Sequence, residues 1–98
     1  MRINDITAIQ RAIESAHKCD ATYIESKPIT DMFQGQIAWK ATVDIFELSG
    51  HATAKRCYGW RYQEGNDIKT VTVLEIPPVD SPESAVKWAI SAAARRNP

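Results

Sequence analysis

The spacing of apolar positions along this chain changes from helical to alternating and back to helical. Ile6, Ile9, Ile13 and Ala16 recur three, four and three residues apart, which predicts one helix over 4–18 with a single apolar stripe. Asn4 or Asp5 is placed to cap it, its side-chain oxygen accepting from free amides of the first turn. Gln10, Arg11, Glu14 and Lys18 fall outside the stripe and are expected in water, with Glu14 and Lys18 as an i,i+4 ion pair.

Past residue 20 the period shortens. ATYIESKPI, 21–29, reads as a short strand. Pro28 has no amide hydrogen, so this strand lies at an edge or ends there. Residues 30–36 read as a loop or bulged turn around Gly35. In 37–48, Ile37, Trp39, Ala41, Val43 and Ile45 take one face, and Lys40, Thr42 and Asp44 the other, which predicts one buried and one wet face. Phe46 and Leu48 break that alternation and point to a bulge or a change of environment near Ile45. Gly50 marks a turn at 49–53, and 54–63 is the next strand. Gly65 and Asn66 mark a second turn at 64–67. The β-branched run 68–76 makes a further strand, which Pro77-Pro78 stops.

Helical spacing returns at 81–96. Ser81 is placed to cap, Pro82 suits the first helical position, and Glu83 complements the positive end of the helix dipole. Val86, Ala89, Ile90 and Ala93 form the stripe. Arg95 and Arg96 suit the negative end, and 97–98 are expected to fray. Trp88 lies off the stripe, so it covers a sheet edge or meets a second chain. The fold class expected is α+β, in the order α-β-β-β-(β)-α. An antiparallel meander sheet would carry both helices on one face, since each has one stripe to bury. The other face would be open or covered by a partner.

Composition narrows the classes. With 98 residues the chain makes one domain, 1–98, with core enough to fold without metal or disulfide. Twelve Lys and Arg balance twelve Asp and Glu, so no global field attracts nucleic acid or an anionic membrane. No apolar run suits a membrane span, and MRINDITAI lacks the apolar stretch of a signal peptide. These features point to the cytoplasm, where Cys19 and Cys57 are expected as reduced thiols.

The chemistry concentrates in AKRCYGWRYQ, 54–63. Alternate residues Arg56, Tyr58, Trp60 and Tyr62 share one face of the strand, and Lys55, Cys57, Gly59 and Arg61 the other. Cys57 and Gly59 are small enough to let the Ala-rich helix 81–96 approach. The aromatics would then stand on the open face with Arg56 and near Lys40, as a protein interface or a stacking platform for bases that also draws on Arg61. In the reversed register the same aromatics form the core. His51 and Cys57 are too far apart along the chain to act together, since six extended residues span about 20 Å. His17-x-Cys19 with His51 or Cys57 matches no familiar zinc spacing. The carboxylates Glu25, Asp44, Glu47, Glu64, Asp67 and Glu75 are scattered, with no pair spaced for acid/base work. No cofactor motif is present.

The element order resembles the double-stranded RNA-binding domain, which is α-β-β-β-α. That family carries a basic cluster at the start of its second helix. The matching stretch here, SPESAVKW, holds Glu83 and only Lys87, which removes the main phosphate contact the resemblance implies. Separately, VDIFELSGHATAKRCYGW resembles small uncharacterised bacterial proteins that share a strand, a Gly-His turn and a strand ending in an aromatic. The expected function is a small non-enzymatic cytosolic module that binds protein or forms a homodimer, through the open sheet face or an edge strand. An RNA-binding module is the alternative.

Overall fold

A computed structural model describes residues 3–33 and 35–96, the side chains at 3, 31–33, 36–39, 64 and 93–96 excepted. The stripe and face positions expected for Ile37, Trp39 and Ala93, the dipole role of Arg95 and Arg96, and the frayed end at 97–98 lie outside the described residues. The order is α1 (Ile3–His17), β1 (Asp20–Phe33), β2 (Gln36–Ser49), β3 (Arg56–Glu64), β4 (Asp67–Leu74) and α2 (Pro82–Arg96). The strands form one antiparallel sheet in the order β1-β2-β3-β4, so the meander is as expected and β1 and β4 are its edges. Pro28 sits in edge strand β1 without ending it, opposite Thr42.

The helices do not share a face. Ile9 and Ile13 of α1 pack with Phe46, Leu48, Ala21 and Cys57. Ala85 and Val86 of α2 pack with Val43, Ile45, Tyr58 and Trp60. The reason lies in β2 and β3, whose central residues are apolar on both sides. In β2, Val43 and Ile45 serve the α2 layer while Phe46 and Leu48 serve the α1 layer. The apparent break in alternation at Ile45 is therefore two faces read at once, and β2 needs no bulge there. A bulge sits instead on β1 opposite this point, where Tyr23 pairs with Phe46 and Glu25 with Ile45, leaving Ile24 as the extra residue.

Gly59 brings α1 down onto β3. A Cβ at that position would collide with Cγ2 of Ile9. The small residue admits a close helix, as the strand pattern suggested, but the helix is α1 rather than α2. At its far end α1 stops at Lys18, which adopts φ 54° and donates its amide to the Glu14 carbonyl at 3.0 Å. The side chains expected in water then clamp β1: Gln10 Nε2 donates to the Ala21 carbonyl at 2.6 Å, and the Ala21 amide donates to Glu14 Oε2 at 3.1 Å. Both residues are half-buried, whereas Ala16, expected on the stripe, is exposed. Asn4 and Asp5 lie inside the helix rather than capping it.

The start of α2 follows its sequence. The Ser84 amide donates to Ser81 Oγ at 3.1 Å, and Ser84 Oγ accepts the Ser81 amide at 3.0 Å, a reciprocal capping box. Val86 is buried and Ala89 packs on the same cluster, but Ile90 stands 40% exposed.

Asp44, expected on a wet face, is fully buried. It accepts from Ser26 Oγ at 2.6 Å, and Ser26 Oγ lies 2.6 Å from the Tyr23 hydroxyl. The serine has one hydrogen and gives it to Asp44, so the tyrosine donates to the serine. No helix among the described residues is long and apolar enough to cross a membrane.

Candidate functional site

The structure distributes the residues of the aromatic strand rather than assembling them. Tyr58 and Trp60 face α2 and are 2% and 3% exposed, in the core. Tyr58 donates its hydroxyl to Glu75 Oε2. Burial, then Glu75, pushes the Tyr58 hydroxyl well above the ordinary tyrosine range. Arg56, Lys40 and Tyr62 are exposed. Arg61 points to the other face, where its Nη1 meets Asp5 Oδ1 of α1 at 2.9 Å. The open-face platform of Arg56, Tyr58, Trp60 and Tyr62 with Arg61 and Lys40 is thus not formed. Each helix covers one face of β3, and the reversed register is the one adopted, with Tyr58 and Trp60 inside and Tyr62 exposed.

The histidines and cysteines do not form a nucleophilic pair either. His51 Nδ1 accepts the amides of Thr53 at 3.1 Å and Ala54 at 2.9 Å, which ties the turn before β3. Its ring meets that of His17 edge-on, with centroids 6.4 Å apart. Cys57 is buried against α1, and burial pushes its thiol up to about 12. Burial, then the charges of Asp20 and Glu14, also raises the half-buried Cys19. Both free sulfurs are held as thiols at neutral pH, the unreactive form. Among the described residues no three His, Cys, Asp or Glu come together as a metal site would require.

What the fold does build is a cleft at the outer edge of β4. Its floor is the strand edge at Thr72, Val73 and Leu74; His17 stands on the α1 side and Trp88 on the α2 side. The segment Ile76–Pro78 borders one end, and the cleft, open to solvent, has a volume of about 350 Å³. The lining is mostly apolar. Its fixed polar contact is His17 Nε2 to Thr72 Oγ1 at 3.3 Å. Burial, and secondarily the neighbouring His51, holds the His17 imidazole below its ordinary pKa, so at neutral pH it is uncharged. Trp88 is 45% exposed and also walls a second hollow with Ser84, Lys87 and Ser91. Ile68 on β4 is 61% exposed and Ile76 38%.

The edge is polar in a defined pattern. The Glu75 amide donates to the Arg56 carbonyl at 2.9 Å, continuing the β3–β4 ladder in register. Hydrogen-bonded pairs alternate in an antiparallel ladder, so Asp67, Lys69, Val71 and Val73 turn their backbone groups toward β3. Ile68, Thr70 and Thr72 turn theirs outward.

Sequence reasoning found one member of this site, Trp88, because it lies off the apolar stripe of its helix. It could not find the rest. His17, Thr72 and Pro78 carry no common motif, and only the sheet order makes β4 an edge.

No family model matches this chain, and neither a curated protein nor a solved structure does.

Proposed function

We propose that this chain is a small non-enzymatic, protein-binding module of the cytoplasm that engages an extended polypeptide segment along β4. The observation that carries this reading is the free edge of β4 running into an apolar cleft between His17 and Trp88. A strand edge supplies main-chain donors and acceptors, and flanking pockets take side chains, which is how extended segments are recognised. The exposed apolar residues Ile76 and Trp88 line this cleft, and Ile68 stands exposed at the other end of the same strand, where water contact is costly. The raised thiols of Cys19 and Cys57 support a role without a cysteine nucleophile. Zero net charge and the burial of Tyr58 and Trp60 weigh against RNA.

The test is site-specific photocrosslinking in the cell, with a photoreactive residue in place of Trp88. The expected result is a discrete adduct with a polypeptide, absent when the same residue replaces Tyr62. Absence of any polypeptide adduct from position 88 would overturn the reading.

A further inference from the structure

We infer that the segment received by the β4 edge is β4 of a second copy of this chain, paired antiparallel about a two-fold axis through Thr72. The inference rests on the reading of β4 as the docking edge and names its occupant.

Backbone geometry limits the possibilities. Only Ile68, Thr70 and Thr72, with the Leu74 amide, offer outward-facing groups, so even-numbered residues must meet even-numbered residues across the new interface. Few two-fold registers satisfy that condition with two or more of these positions paired, and among them charge favours one. Centring the pair on Lys69 sets Lys69 against itself. Centring on Thr70 sets Lys69 against Val71 and leaves both lysines without a partner. Centring on Val71 sets Asp67 against Glu75 of the other copy, a like-charge pair made twice. Centring on Thr72 sets Lys69 against Glu75, an opposite-charge pair made twice. Like charges directly opposite on a sheet destabilise it and opposite charges favour it.

Packing agrees with the charge argument. In the Thr72-centred register Val71 of each copy stands opposite Val73 of the other, a β-branched pair on the α2 side. Thr70 meets the free Leu74 amide. The floor of each cleft, Thr72 to Leu74, is covered by the other copy's Thr72, Val71 and Thr70. Ile68, 61% exposed in the single chain, is carried toward Ile76 of the other copy's cleft. Both exposed isoleucines of this edge thus leave water in one arrangement. The chain's balanced charge, twelve cationic and twelve anionic side chains, puts no net repulsion between copies. An eight-stranded sheet results, and each free β4 edge is satisfied by the other.

The experiment is sedimentation equilibrium of the purified full chain over a concentration series, at low and moderate salt, with three variants. Wild type is expected to associate reversibly to a dimer. Lys69→Glu sets Glu opposite Glu75 twice and should raise the dissociation constant at least tenfold, with the monomer's circular dichroism unchanged. Lys69→Glu with Glu75→Lys in the same chain restores opposite charges across the axis and should recover dimerisation; a thermal melt checks that loss of the Tyr58 bond has not unfolded it. In a Cys19→Ser background, Thr72→Cys should oxidise to a covalent dimer while Thr70→Cys should not, because only position 72 meets itself. A wild-type monomer at all concentrations would overturn the second-copy inference. So would a dimer indifferent to Lys69→Glu and cross-linked by neither cysteine. A monomer that still gives a polypeptide adduct of foreign mass from position 88 would sink this inference alone and leave the docking edge standing. No adduct at all would remove both.

Discussion

Gly59 is where one hydrogen atom decides a helix position. It lies in a central strand, where glycine normally weakens pairing and alanine would gain about 0.5–1 kcal/mol of backbone entropy. Here the missing methyl is the space that Cγ2 of Ile9 occupies. Ile9 is fully buried and β-branched, so it has few rotamers through which to withdraw. Overpacking of this kind costs about 1–3 kcal/mol and outweighs the entropic gain. Gly59→Ala should therefore lower the urea midpoint of unfolding, and the penalty should vanish in an Ile9→Ala background, measured as a double-mutant cycle. A Gly59→Ala protein as stable as wild type would show that α1 does not sit this close.

At the scale of elements, the ends are specified by side chains that satisfy backbone groups. Ser81 and Ser84 cap α2 reciprocally, with serine standing where a glutamate usually completes the box. Loss of such a cap costs about 1 kcal/mol. Ser81→Ala should destabilise by about that amount in chemical denaturation, and Ser81→Asp, which keeps an acceptor at the cap, should retain most of it. Equal losses in both variants would assign the effect to something other than capping. The cap was legible in SPES because it is a local signal. The clamp of β1 by Gln10 and Glu14 was not, since their pattern on the helix is that of solvated residues and only the return of the chain at Ala21 gives them partners. Asp44 is the same case. Its alternation says exposed, but the bulge at Ile24 lets Tyr23 and Ser26 both reach the face where it is buried.

For the whole molecule, the uncharged His17 links acidity to stability. Its pKa in the folded protein lies below the ordinary 6.5, because burial and the nearby His51 disfavour the imidazolium. The unfolded chain therefore binds the proton more readily, and protonation favours unfolding. The stability involved is fully present above about pH 6.5 and declines as pH falls from there through the folded-state value. Urea midpoints at pH 7.5 and 5.5 should differ in that direction, and His17→Gln should narrow the gap. An unchanged gap would assign the acid sensitivity to other groups. His17 also borders the β4 cleft through Thr72, so the same measurement reports on the wall of the docking edge.

The sequence by itself determined the element order, the turns at Gly50 and Gly65 and the cap of α2, and it narrowed the Pro28 strand to an edge or an end. Each of these follows from local periodicity or from a residue's own backbone preference. Its strand pattern also divided Cys57 and Gly59 from Tyr58, Trp60 and Tyr62. Only the tertiary structure decided which helix covers each set, and so buried Tyr58 and Trp60 beneath α2. The physical reason is symmetry in the pattern. A strand apolar on both sides accepts a helix on either face, and nothing local distinguishes one helix on each face from two on one. The β4 cleft was decided at that level too, because an edge is a property of strand order.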